Sequence, residues 1–362
     1  MSETSKIPRQ PPTVRDVAEL AQVSTATVSR VLAGANAVRE DLKERVIRAS
    51  NTLGYTPNRV ARNLRARTTR VIGVVVPDIE NPFFTSAICG IEEVLQAANY
   101  GLLLANYSES PKRENELLGT LRAEGAAGII FTPSNAPEAD YRELIQAHIP
   151  MVAISRSPVG LNVDSVSVAN RAGARAATEH LIHLGHRRIA FINGPFVIST
   201  ARERQAGYEE AFAAADLPML RELIVYGDFR HKSGYQAMQT LLDLPSPPTA
   251  VFTASNLLTL GALQAIHERG WKIPQQIAVV GFDDLAWAAS LQPPLTAVAQ
   301  PARDVGVTAA RLLLDRLAEP QRPTRRIVLE TRLVVRASCG AASYDRARAG
   351  KDQAEAPRWD RY

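Results

Sequence analysis

With 362 residues, 46% of them hydrophobic and 22% charged, the chain has room for two or three packed globular domains. Two cysteines, Cys89 and Cys339, are too few for a disulfide framework and fit a reducing compartment. With no secretory signal in residues 1–12 and no apolar run of membrane-spanning length, a soluble cytoplasmic protein without a membrane partner is expected. The net charge of +5 is uneven: residues 1–70 hold 13 Lys/Arg against 6 Asp/Glu, a basic module ahead of a slightly acidic remainder, as expected where a protein meets a phosphate backbone.

Residues 1–11 read as a disordered lead-in. Residues 12–57 read as a small all-α head whose motif spans 14–33. Val14, Val17, Ala18 and Ala21 recur at spacings of three and four, giving one apolar stripe of a first helix. Ser24 supplies an N-cap oxygen for a second. In it Val28, Val31 and Leu32 face the first helix, while Thr25, Ala26, Ser29 and Arg30 fall on the opposite side. That side is small and polar with one arginine, which suits a helix lying in a DNA major groove. A third helix is expected from Glu40 or Asp41 to Leu53, with Leu42, Val46, Ala49 and Leu53 inward and Lys43, Arg45 and Arg48 outward. Gly54 is its stop.

Residues 58–66 form a short, arginine-rich helical pattern. A helix of that length is marginal in water, and its arginines repel one another without a polyanion, so full ordering is expected only on DNA. Val60 and Leu64 share a face; a dimer contact, an apolar wedge for a minor groove, or both roles fit them.

From Arg70 the texture changes to strands alternating with helices. Strands are expected at 71–76, 101–105, 128–131, 151–154, 188–192, 223–226, 250–253 and 277–282. Helices are expected at 82–98, 113–123, 139–147, 170–184, 201–215, 232–242 and 257–269. Such alternation implies parallel sheets covered on both faces, here an α/β body of two doubly wound parallel-sheet lobes. Ligands of such folds bind at the carboxyl ends of the strands. Polar and aromatic residues cluster there: 78–84, 132–134, 155–156, 193–204, 228–229, 254–256 and 283–284. Each has an ordinary structural explanation alone; together they ring a cleft suited to a small hydroxyl-rich ligand. Residues 341–362 contain no Leu, Ile or Val, so they supply no coiled-coil seam and are expected to be disordered.

No catalytic constellation is present. His180, His183 and His186 lack a partner set for a metal, and the adjacent Asp283 and Asp284 diverge in direction. No nucleophile elbow, phosphate loop or dinucleotide fingerprint occurs. Neither an enzyme, a metal site nor a cofactor is expected.

The segments 14–32, 54–58, 60–64, 72–74, 180–189, 261–263 and 280–284, taken together, resemble the LacI/GalR family of bacterial transcription regulators over about residues 12–340. The body alone also resembles periplasmic sugar-binding proteins of type I. The resemblance implies a repressor that binds a palindromic operator in double-stranded DNA as a homodimer. It implies a body with one lobe of about 70–168 and 300–329 and another of about 169–299 and 330–340. A small-molecule effector between the lobes would alter operator affinity, and the protein would associate with the nucleoid when bound to DNA. The implied DNA contacts are Thr13, Ser24, Thr25, Ala26, Thr27, Ser29, Arg30, Asn58, Arg59, Ala61 and Leu64. Thr25, Ala26 and Arg30 would read bases, and Leu64 would enter the minor groove. The implied effector contacts are Phe83, Phe84, Ser134, Arg156, Thr200, Arg204, Phe229, Ser255 and Asp283. Three departures stand out. Ile198 replaces an arginine that holds a purine. Ser155 replaces a common Asp, and Ser255-Asn256 replaces a common Asn-Asp. With two usual carboxylates missing and Arg156 and Arg204 kept, a sugar acid or phosphorylated sugar is the expected effector.

Overall fold

The computed structural model describes residues 12–32, 38–55, 69–134, 141–158 and 160–341, in two compact units that divide after Thr69. The first unit packs α1 (Val14–Ala21), α2 (Thr25–Leu32) and α3 (Glu40–Leu53) around one core of Val17, Ala18, Ala21, Val28, Val46 and Ala49. Thr13 and Asp16 close a reciprocal capping box at the start of α1. Ser24 Oγ accepts from Thr27 N at 3.1 Å and caps α2. Arg45 is exposed, as expected, and its guanidinium also donates to the carbonyls of Ala21 and Gln22 at 2.6 and 3.3 Å, holding α3 against the carboxyl end of α1.

The second unit carries, in chain order, β1 (Val71–Val76), α4 (Pro82–Ala97), β2 (Gly101–Asn106), α5 (Pro111–Ala123), β3 (Gly128–Phe131), α6 (Arg142–Gln146), β4 (Met151–Ile154) and β5 (Asp164–Val168). Then follow α7 (Asn170–His183), β6 (Ile189–Asn193), α8 (Ser199–Ala214), β7 (Ile224–Tyr226), α9 (His231–Leu242), β8 (Ala250–Thr253), α10 (Asn256–Glu268), β9 (Ala278–Phe282) and β10 (Thr296–Ala299). The chain closes with α11 (Ala302–Ala318), β11 (Arg326–Leu329) and β12 (Arg332–Val334).

These strands form two sheets of the same order: β11-β5-β4-β3-β1-β2 and β12-β10-β9-β8-β6-β7. All their pairings are parallel except β10 with β12, so the second sheet ends on one antiparallel edge strand. Strand order reverses between β1 and β3 in one lobe and between β6 and β8 in the other. Loops leaving the carboxyl ends of adjacent strands diverge there and leave a crevice.

The central strands are buried along their whole length, and apolar clusters cover both faces of the first sheet. Fully burying one such Val, Leu, Ile or Phe side chain stabilises by roughly 1.5–3 kcal/mol. In the second lobe Phe191 stacks between Tyr208 and Phe252, at ring separations of 5.0 and 5.1 Å. α4 and α11 cross so closely that a Cβ on Gly90 would collide with the Arg303 carbonyl, and one on Gly306 with that of Ala87.

The sequence reading omitted β5, β10, β11, β12 and α11. β5 reads Asp-Ser-Val-Ser-Val, with only alternate residues buried, so it lacks the apolar run expected of a parallel strand. β10 reads Thr-Ala-Val-Ala, mostly small residues, β11 opens on an arginine and is only half-buried, and β12 has three residues, so none shows a bulky apolar run. They belong to the passages between lobes: the chain crosses after β5, after β10 and between β11 and β12.

Candidate functional site

Two surfaces carry the predicted site residues, one on each unit. In the first unit Thr25, Ala26, Ser29 and Arg30 are all exposed on one side of α2, while Val28 is buried behind them. The Arg30 guanidinium reaches back to the Ala26 carbonyl at 3.4 Å. Thr13 and Ser24 are also exposed, each with its hydroxyl engaged in a helix cap; Thr27 is half-buried, its hydroxyl on Ser24 Oγ at 2.9 Å. The result is a short, capped helix presenting small side chains and one cation on its exposed side. Asn58, Arg59, Ala61 and Leu64 lie outside the described residues, as do residues 342–362 and 1–11.

In the second unit a solvent-open cleft lies at the carboxyl ends of the two sheets. Phe83, Phe84, Arg156, Thr200, Arg204, Phe229, Ser255 and Asp283 all line it. Ser134 does not: it is buried, with its backbone N–H donating to Glu114 Oε2 at 3.2 Å. Buried Glu114 also accepts from the Tyr141 hydroxyl at 3.0 Å. Burial pushes its carboxyl up, against the opposing pull of Ser134 and Tyr141.

The elements fix these side chains individually. Asn81 caps α4, accepting from Phe83 N at 3.0 Å, and the Phe83 and Phe84 rings meet edge to face, 5.1 Å apart. Phe229 adopts a left-handed backbone, φ 63°, and its ring fills the space where Gly194 has no side chain. Arg204 on α8 lies with its guanidinium 3.7 Å above the Phe282 ring, worth about 2 kcal/mol when desolvated. It donates to Asn170 Oδ1 at 2.9 Å and to the Ala254 carbonyl. Burial, opposed by Asp283 and Glu203, lowers its pKa to about 10, so it stays a cation at neutral pH.

Asp283, at φ 79°, turns its carboxylate inward. Oδ2 accepts from Asn256 N and Nδ2 at 3.0 and 2.9 Å, and Oδ1 accepts from Gln300 Nε2. Asp284 points elsewhere and pairs with Arg336 at 2.6 Å.

Sequence reasoning passed over Glu109, Arg230 and Gln300, which also line the cleft. Glu109 follows the end of β2 and Gln300 the end of β10, so extending the strand-end rule to those two strands identifies both. Glu109 overturns one expectation. It grips Arg156 through two parallel bonds of 2.8 and 2.5 Å, so the cleft is not short of carboxylates. Asp78, Glu109, Asp228 and Asp283 face Arg156, Arg204 and Arg230.

The described residues contain no His, Cys, Asp and Glu grouping able to hold a metal, and no helix long and apolar enough to cross a membrane. His180 Nε2 lies 3.2 Å from the buried Cys339 sulfur, His183 Nδ1 bonds the Glu179 carbonyl and His186 Nδ1 meets Thr249 Oγ1.

Residues 13–58 match the family model described as bacterial regulatory proteins, lacI family, and residues 178–339 match a periplasmic binding protein-like domain. The ribose operon repressor of Haemophilus influenzae is 36% identical over 90% of this chain and 98% of its own length. Among solved structures, the transcriptional regulator CelR in complex with cellobiose is 37% identical, with a TM-score of 0.69 over 90% of this chain and 99% of that one. The lac repressor dimer bound to operator and the anti-inducer ONPF is 29% identical, with a TM-score of 0.82 over 91% of this chain and 99% of that one. These relatives are transcriptional regulators and not enzymes. With a helix-turn-helix head, a two-lobed body and relatives at this identity across nearly its whole length, the chain belongs to the LacI family of bacterial transcription regulators.

Proposed function

We propose that this chain is a cytoplasmic, nucleoid-associated repressor that binds a palindromic operator as a homodimer and is controlled by a neutral sugar in the cleft between its lobes. The observation that carries this reading is the convergence of Phe83, Phe229, Arg204 and Asp283 on one cleft. It offers aromatic faces for the apolar side of a sugar ring, and a fixed donor and acceptor for its hydroxyls. The ribose and cellobiose named for its relatives support a sugar as the class. The exposed face of α2, with Arg30 available for a bidentate contact to guanine, supports base reading.

Dimerisation is proposed through the edge strand β2, which exposes Leu103 and Leu104 at 44% and 42%. Apolar side chains on an exposed sheet edge are a liability unless something covers them.

A gel-shift titration on upstream DNA, with and without ribose or cellobiose, tests the proposal. Sequence-selective retardation that changes with one sugar supports it. Retardation that does not distinguish operator from random DNA overturns it.

A further inference from the structure

We infer that Glu109 is a specificity-determining residue of the cleft: by occupying the Arg156 guanidinium it makes the site select neutral sugars and reject their acidic or phosphorylated counterparts. The inference rests on the cleft being the sugar site.

Arg156 is the cleft cation best suited to receive an anionic group. It is buried, with 7% of its side chain exposed, and it sits at the end of β4 with one nitrogen also donating to the Tyr107 hydroxyl at 3.2 Å and the Pro133 carbonyl at 3.4 Å. A guanidinium so desolvated binds a carboxylate or phosphate strongly when its fork is free. Its fork is taken by Glu109, which is 28% exposed and therefore lies on the solvent side of the pair. A ligand entering the cleft meets the carboxylate first.

The backbone holds that arrangement at a cost. Ser108 and Glu109 are consecutive non-glycine residues in the left-handed region, at φ 54° and 61°, and Ser155, beside Arg156, is a third at 65°. Such conformations persist where surrounding structure over-determines them. The turn that carries Glu109 is also reached from the other lobe, by Arg230 Nη2 against the Ser108 carbonyl at 3.5 Å.

A neutral sugar hydroxyl donates to the outer lone pairs of the Glu109 carboxylate without breaking the pair. An anionic group must either evict Glu109 and leave its unpaired carboxylate in a cleft that Asp78 and Asp228 also line, or stay and face it. Both routes carry like-charge repulsion, a penalty that excludes the wrong ligand without adding affinity for the right one.

Calorimetric titration of the full chain with ribose against ribose 5-phosphate, and cellobiose against cellobionate, tests this. The wild type is expected to favour the neutral member of whichever pair binds. Glu109→Gln is expected to shift the affinity ratio toward the anionic member by about tenfold or more, or about 1.4 kcal/mol. Glu109→Asp, which keeps the charge, is expected to hold the wild-type preference, so the idea stays testable if the Gln variant fails to fold. A wild type that prefers the anionic member, or a Glu109→Gln ratio unchanged while ribose or cellobiose still binds, overturns the role of Glu109 and leaves the cleft assignment standing. Failure of every sugar to bind the wild type overturns both.

Discussion

Asn256 Nδ2 donates to Asn81 Oδ1 across the cleft at 2.8 Å, and the same nitrogen donates to Asp283 Oδ2 at 2.9 Å. Asn81 is the N-cap of α4 in one lobe; Asn256 opens α10 in the other. The carboxylate proposed to hold the effector is thus one side chain away from the cap of the opposite lobe. Gln300, on a passage between the lobes, bonds its other oxygen. A ligand that competes for Asp283 changes the partners of both residues.

Asn256→Ala removes the donor shared by Asp283 and Asn81. Hydrogen bonds to a charged group contribute about 1.5–3 kcal/mol, so effector affinity is expected to fall by about tenfold or more. Isothermal titration calorimetry reads the loss. Unchanged affinity would show that the cross-cleft contact does not shape the site.

Arg30→Ala is expected to cost about 1–3 kcal/mol of discrimination at one operator position, with nonspecific binding reduced only slightly. Arg45→Ala acts differently, because its guanidinium ties α3 to the end of α1. It is expected to lower the thermal stability of the head. Competition binding on single-base operator variants, beside thermal unfolding, separates the two.

Burial raises the Glu114 pKa. The folded protein therefore holds that proton more tightly than the unfolded chain does. Its contribution to stability is complete below the unfolded value and is lost as pH rises through the raised one. Relative to Glu114→Gln, the wild type is expected to lose stability with rising pH in the range just above 4.5, the ordinary value for this carboxyl. Denaturant titrations of both proteins at several pH values measure the difference, and parallel curves would contradict it.

Asp164 is fully buried and pairs with Arg316 at 3.0 Å and Arg322 at 2.7 Å, fastening the segment between α11 and β11 to the start of β5. Removing one partner of a buried ion pair strands the others. Asp164→Ala is expected to destabilise the body by about 3–5 kcal/mol, read as a lowered midpoint in chemical denaturation.

Much of the cleft was legible because strand ends are legible. β1, β4, β6, β8 and β9 are apolar runs, and polar residues after each of them fall on one crevice. Glu109 was missed because the end of β2 was not weighed as a site, although Leu102, Leu103 and Leu104 mark the strand clearly. Gln300 was missed because β10 reads Thr-Ala-Val-Ala, mostly small residues without the bulky apolar run that marks the other strands. No pattern in the sequence announces that Glu109 pairs with Arg156, since 47 residues separate them. That omission produced the expectation of an acidic ligand. Ser134 follows a strand end as the cleft residues do, yet its backbone is turned toward Glu114.

The central claim is that occupancy of the cleft controls operator binding. Fluorescence anisotropy of the full chain on its selected operator, titrated with ribose and with cellobiose, measures this directly. One sugar is expected to shift the operator Kd by about tenfold or more, an effect within the usual 1–3 kcal/mol of allosteric coupling. Asp283→Ala is expected to bind the same operator with no shift. A shift that survives in Asp283→Ala would contradict the account.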